Sequence, residues 1–241
     1  MNREHHKWYS PNLGREMDLI ITGHAGAKVL VFPTSKGKFY EWEDRGMFGP
    51  RCLGPMIEQG WLQTYSVDSV DAESWYNYRA HPGQRAWRNT QYFEYILQEV
   101  FPLSRQKNPN NYWITVGASF GAFHAATFAL RYPHLVGRTV CMSGLYDIRE
   151  FTGGYSDDNV YFNNPMQFIA NENDPVRLAS LRNLDIIIAT GRDDSHRQSS
   201  ENLSYLLWGK GIGNALRLWD GWSHDWPYWE QMLKLYISGH D

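Results

Sequence analysis

The sequence predicts an α/β fold: a mostly parallel central sheet with helices on both faces. Two observations carry this. Short, nearly continuous apolar runs recur along the chain, as expected of strands buried on both sides. Segments of helical period or helical composition fall between most of them, and strand–helix alternation of this kind closes into a covered parallel sheet. No internal repeat, low-complexity tract or linker interrupts the 241 residues, so one domain over 1–241 is expected.

In chain order, Glu16 to Gly23 (EMDLIITG) alternates loosely and reads as an antiparallel edge strand. Val29–Phe32, Leu62–Val67, Trp113–Val116, Thr139–Met142, Leu184–Ala189 and Ala215–Trp219 read as buried strands. Helices are expected over Gln91–Val100, Phe120–Arg131, Ser199–Lys210 and Trp226–Ser238. Residues 151–175 (FTGGYSDDNVYFNNPMQFIANENDP) are aromatic, Asn- and Gly-rich and without a strong period. A connection of that length reads either as a cap or lid over a site or as a surface excursion.

Composition narrows the function. With 42% apolar and 20% charged residues the chain can build a core, and a net charge of −3 argues against a nucleic-acid-coating surface. No apolar run approaches the ~20 residues of a bilayer span, and MNREHHKWYSPNLGREMDLII is charged throughout, unlike a signal peptide. Cys52 and Cys141 are the only cysteines, and Cys141 sits in an apolar run, so a disulfide framework is not expected. These features suggest a cytoplasmic protein with neither a membrane nor a nucleic acid as partner; a homo-oligomer stays open.

Gly117-Ala118-Ser119-Phe120-Gly121 fits Gly-x-Ser-x-Gly. In that motif a sharp strand-to-helix turn lifts a serine hydroxyl above the sheet, and the small flanking residues make room for it. The context agrees, because a predicted strand ends just before Gly117 and a helix rich in alanine starts just after Ser119. Such a serine needs a base, and the base needs an orienting carboxylate. His224 lies in a loop between the last strand and the last helix and is the expected base; His124, inside the helix after Ser119, reads as a packing or surface residue. The acid is expected after the strand Leu184–Ala189, where Asp194, third after Gly191, is preferred over Asp193, with Asp147 as a third candidate. The backbone donors for an oxyanion would be Phe120 N–H and either Thr34 or Ser35 N–H. Trp222, two residues before His224, is a candidate wall of the substrate pocket.

The GASFGAFHA elbow, the following Arg131-Tyr132-Pro133, the Met-Ser-Gly after the next strand, the Gly-x-x-Asp after the late strand and the closing HDWPYW together resemble one esterase family of the α/β-hydrolase fold. That family contains esterase D (S-formylglutathione hydrolases), enterochelin and feruloyl esterases and mycolyltransferases. The resemblance covers nearly the whole chain. It implies Ser119 as nucleophile, Asp194 as acid and His224 as base, and it implies that Ser74-Trp75-Tyr76 lines the acyl pocket. Where those relatives carry Asp or Ser followed by Gly-Leu in the oxyanion loop, this chain reads Pro33-Thr34-Ser35. The function expected is carboxylic ester hydrolysis through an acyl-enzyme on a small-molecule ester of short to medium acyl length. An acyltransferase, a thioesterase or a non-catalytic binding member of the fold is the alternative. No cofactor and no metal are implied: His5-His6 and His24 lack zinc-site spacing, and no dinucleotide or P-loop motif occurs.

Overall fold

The computed structural model describes residues 1–240. Eight strands, β1 (Arg3–Ser10), β2 (Arg15–Thr22), β3 (Ala27–Phe32), β4 (Leu62–Val67), β5 (Trp113–Ala118), β6 (Arg138–Met142), β7 (Asp185–Gly191) and β8 (Ala215–Trp219), form one sheet. Their order is β1-β2-β4-β3-β5-β6-β7-β8. β1 pairs antiparallel with β2, and β2 antiparallel with β4; every other pairing is parallel. This is the α/β-hydrolase fold. Phe32 of β3 faces Gly117 of β5 in register, so the loops leaving these two strands emerge side by side at the carboxyl edge of the sheet, where ligands of open α/β sheets bind.

The helices are α1 (Glu41–Asp44), α2 (Gly54–Glu58), α3 (Pro82–Tyr95), α4 (Phe101–Lys107), α5 (Phe120–Arg131), α6 (Arg149–Thr152), α7 (Asp158–Phe162), α8 (Pro165–Phe168), α9 (Pro175–Arg182), α10 (Arg197–Gly209) and α11 (Trp226–Tyr236). Strand residues alternate between two cores. Leu30, Phe32, Ile186 and Ile188 join the face packed against the alanines of α5, whereas Val29, Val31, Ile187 and Ala189 face Trp229, Met232 and Leu233 of α11. Period-two alternation on a sheet covered on both sides produces this division. Among the described residues no helix is long and apolar enough to cross a membrane. Cys52 and Cys141 are free and buried, and burial pushes both thiols up to about 12.

Two expectations about the elements need correction. The strand at 16–23 is antiparallel but not the edge: β1 lies outside it. β1 (REHHKWYS) has no apolar period and is held by polar cross-strand pairs, among them His5–Asp18 at 2.7 Å and Lys7–Glu16 at 2.7 Å. Charges on an outer strand also discourage edge-to-edge association. The helix expected over 91–100 is the middle of a longer run that starts at Pro82, capped by the His81 ring accepting from Gly83 N–H. A π-helical turn over Ile96–Val100 joins α3 to α4, and Pro102, which has no N–H to return to the preceding turn, follows it directly. Residues 151–175 hold the end of α6, all of α7 and α8 and the start of α9. Asn163, fully buried, pins this segment to α3 through Asn89, Thr90 and the Ala86 carbonyl. Phe151 and Val160 join the cluster that contains Phe120, and Phe168 and Ile169 enter the main core.

Candidate active site

Ser119 sits between β5 and α5 at φ 54°, ψ −123°, a left-handed conformation for a residue with a side chain. Backbone in such a region costs on the order of 1–3 kcal/mol and persists only where surrounding contacts hold it. The two flanking glycines are what permit the turn. A Cβ on Gly117 would lie 2.0 Å from the Gly121 carbonyl oxygen, and one on Gly121 would lie 2.5 Å from the Pro33 carbonyl oxygen. Both obstacles are backbone, so neither can yield cheaply. Gly121→Ala should therefore destabilise the protein by about 2–3 kcal/mol, as overpacking of a tight site does, read as a lower denaturation midpoint with unchanged slope.

His224 Nε2 lies 3.3 Å from Ser119 Oγ, and His224 Nδ1 lies 3.0 and 3.1 Å from the two carboxylate oxygens of Asp194. A carboxylate only accepts, so Nδ1 carries the proton and Nε2 is left to accept from the serine hydroxyl. The Asp194 side chain is fully buried and that of His224 is 17% exposed. Burial acts to raise the Asp194 pKa, but hydrogen bonds from His224 and from His196 N–H, with the His224 charge, outweigh it and hold the carboxyl below its ordinary range. Thr190 Oγ1 also donates to it at 3.2 Å. The structure thus brings Ser119, His224 and Asp194 together. Asp193 is exposed, and Asp147 is engaged by Arg149 and Asn164.

The loop after β3 shows where a second backbone donor remains. Thr34 N–H is donated to Glu41 Oε2 at 2.8 Å, Lys36 N–H to Asp71 Oδ2 at 2.8 Å, Gly37 N–H to the Thr34 carbonyl at 2.8 Å and Phe39 N–H to Asp68 Oδ1 at 3.3 Å. Among Thr34 to Phe39 only Ser35 and Lys38 keep an N–H with no acceptor. Thr34, equally eligible on sequence, is removed from contention by Glu41, a partner seven residues away that spacing alone does not reveal. Phe120 N–H, at the first position of α5, has no intrahelical acceptor.

The aromatic candidates divide. Tyr76 packs edge-on to Phe120 and Phe151, and its hydroxyl lies 2.8 Å from Ser35 Oγ. Trp222 is 54% exposed and stacks on the His224 ring, with centroids 5.7 Å apart. Trp75, expected beside Tyr76 in the pocket, is instead wholly buried against Phe123. Neighbouring residues of this turn point in opposite directions, so an aromatic pair cannot line one surface. Trp75→Ala should cost about 3–5 kcal/mol of stability. Trp222→Ala should leave the melting temperature within a few degrees and lower kcat/KM about 3- to 10-fold, the equivalent of an aromatic contact of ~0.5–1.5 kcal/mol.

His196 was not singled out on sequence. Its ring packs on His224 at 5.2 Å, its Nδ1 lies 3.3 Å from the Ser143 carbonyl, and its N–H donates to Asp194 at 2.9 Å. Its place two residues after Asp194 was the only available signal. Asp194, His196 and His224 bring three ligand-type atoms within 4.8 Å, but a cation there would have to compete with the hydrogen bond between Asp194 and His224. Lys36, Ser119, Ser143 and Ser223 are the only non-glycine residues with positive φ among those described, and each lies just after a strand at this edge of the sheet.

The sequence profile of the family described as "Putative esterase" matches residues 64–235, which include Ser119, Asp194 and His224. The chain belongs to that family. A search of curated proteins finds no match. Among solved structures, this esterase-family chain resembles a ferulic acid esterase (TM-score 0.76, 17% identity, 97% of this chain and 95% of that one). It also resembles an S-formylglutathione hydrolase from Agrobacterium tumefaciens (TM-score 0.72, 13% identity, 96% and 91%). A third is the fluorophosphonate-binding serine hydrolase F of Staphylococcus aureus (TM-score 0.67, 17% identity, 97% and 95%). At these identities the likeness is one of fold, and it extends along nearly the whole of each chain.

Proposed function

We propose that this esterase-family protein is a serine carboxylesterase that works through an acyl-enzyme on short- to medium-chain esters. The observation that carries this is the unbroken line of hydrogen-bonding atoms from Ser119 Oγ through His224 to the buried Asp194 carboxylate. In the reaction, His224 Nε2 takes the Ser119 proton as Oγ attacks the ester carbonyl, and Asp194 stabilises the imidazolium that forms. Phe120 and Ser35 N–H groups receive the oxyanion. His224 then gives its proton to the departing alcohol, and water, activated by the same imidazole, releases the acid and restores Ser119. Tyr76, Phe120 and Phe151 offer the acyl group an apolar wall on one side, and Trp222 flanks the base on the other.

The test is hydrolysis of p-nitrophenyl esters of increasing acyl length, run with wild type and Ser119→Ala side by side. Serine-dependent turnover that declines beyond a certain chain length supports the reading and measures the pocket. Turnover that survives in Ser119→Ala overturns it. Adding a primary alcohol or a thiol acceptor to the same assay and analysing the products separates hydrolysis from acyl transfer, and thioesters in place of oxygen esters test the thioesterase alternative.

A further inference from the structure

Asp71 and His124 are both fully buried, lie 53 positions apart and have no place in the chemistry above. His124 Nε2 is 2.8 Å from Asp71 Oδ1, and the side chains of both are 0% exposed. The other carboxylate oxygen, Oδ2, accepts the Lys36 N–H at 2.8 Å. One carboxylate therefore spans two elements: the helix that begins at Phe120 and the loop that carries Ser35. His124 is in the second turn of that helix, and its ring packs edge-on against Phe120 at 5.1 Å. Its Nδ1 is buried with no partner, so the ring's one hydrogen bond is the one to Asp71. Lys36 is held at φ 57° directly after Ser35. A strained residue needs an anchor, and the buried carboxylate supplies it.

We propose that Asp71 is a positioning residue for the oxyanion site. It ties the Ser35 loop to the nucleophile helix, so that the Ser35 and Phe120 N–H groups keep a fixed separation while charge develops on the substrate oxygen, and His124 keeps the carboxylate in the orientation that does so. The proposal rests on the serine-hydrolase reading. Two oxygens accepting from opposite sides are essential to it. A leucine at position 71 is close to Asp in size and accepts from neither side, so the links to Lys36 N–H and to His124 both open. An asparagine would not do this, because the His124 ring can carry its proton on the unpartnered Nδ1 and accept from the amide at Nε2 while the amide oxygen keeps Lys36 N–H. Misplacing a donor by about 1 Å is enough to cost on the order of 10²-fold in rate.

The experiment measures the rate of covalent labelling by a fluorophosphonate probe, which forms its own oxyanion at phosphorus and requires no knowledge of the natural substrate. Wild type, Asp71→Leu, His124→Gln, His124→Phe and Ser119→Ala are compared, with thermal unfolding followed by circular dichroism for each. Asp71→Leu should label about 10²-fold more slowly. His124→Gln, whose amide can still donate to Asp71, should stay near the wild-type rate, and His124→Phe, which cannot, should fall between them. With p-nitrophenyl acetate the loss should appear in kcat with KM little changed, and the affinity for phenylboronic acid, a tetrahedral mimic, should fall in step with kcat. A folded Asp71→Leu that labels at the wild-type rate overturns the proposal, as does equal behaviour of the two His124 variants. If Asp71→Leu does not fold, the His124 pair decides the matter. Wild type that fails to label, or Ser119→Ala that labels equally, overturns the serine reading itself and the proposal with it; labelling of wild type alone keeps the two failures distinct.

Discussion

Ser119→Ala should lower ester turnover by about 10⁴- to 10⁶-fold while leaving the melting temperature nearly unchanged. The size of the loss follows from removing a nucleophile that acts as a unit with its base; the residue of activity that survives in such variants comes from the oxyanion site and substrate binding. The stability expectation has a separate basis. Ser119 N–H donates to the Met142 carbonyl at 2.8 Å, and its positive φ is imposed by neighbours, so alanine inherits the same backbone with the same strain. Only one hydrogen bond, from Oγ to His224 at 3.3 Å, is lost. Parallel measurement of turnover and thermal unfolding checks both halves, and a variant that loses activity by unfolding would remove the support this reading draws from it.

Replacing Asp194 by Asn should reduce kcat by about 10⁴-fold, and the same change at Asp193 should have little effect. An amide at 194 presents a donor to His224 Nδ1 as readily as an acceptor, so the ring loses the bias that leaves Nε2 free to receive the serine proton. The exposed Asp193 side chain has no such task. A second consequence concerns acid. Burial would raise the Asp194 pKa, but the hydrogen bonds from His224 and His196 N–H bring it below the ordinary value. A carboxyl whose folded pKa lies below its unfolded one, about 3.9 for Asp, contributes stability that is fully present above the unfolded value. That contribution disappears as pH falls through the folded one. The difference in melting temperature between wild type and Asp194→Asn should therefore be flat above about pH 5 and shrink as pH drops below about 4. Equal acid sensitivity of the two proteins would show that Asp194 is not held in its charged form by these partners.

What could be read from the chain was whatever is encoded locally. Gly-x-Ser-x-Gly marks its own turn by composition, although only Gly117 is required by an atom within the motif, the Gly121 carbonyl, whereas Gly121 is required by the Phe32 and Pro33 carbonyls at the end of β3. Asp194 and His224 were legible from their places after β7 and β8, since chain order in a parallel sheet decides which loops meet. What could not be read depends on partners remote in sequence. β1 has no apolar period because its outer position needs none. Thr34 and Ser35 differ only through Glu41. Trp75 and Tyr76 are adjacent aromatics with opposite fates, because one faces Phe123 in the core and the other Phe120 and Phe151 at the surface of the site. The long helix was seen only in its amphipathic middle, since its start depends on His81 and Pro82 and its continuation on the π-helical turn that precedes Pro102.

Lys36, Ser119, Ser143 and Ser223 are each held at positive φ at one edge of the sheet. The fold therefore keeps two kinds of position apart. Along the strands, substitutions toward ideal geometry and better packing leave function alone. At these four places the residue that best suits the backbone is glycine, and it is not the residue present. At Ser143 the hydroxyl offsets the strain by accepting from the buried Trp229 Nε1 at 3.1 Å, whereas at Ser119 its partner is His224, so selection for heat resistance alone would favour replacement at Ser119. A thermostable descendant obtained that way would keep its sheet and lose its proposed nucleophile first, and a screen of variants that scores only melting temperature would rank it among the best.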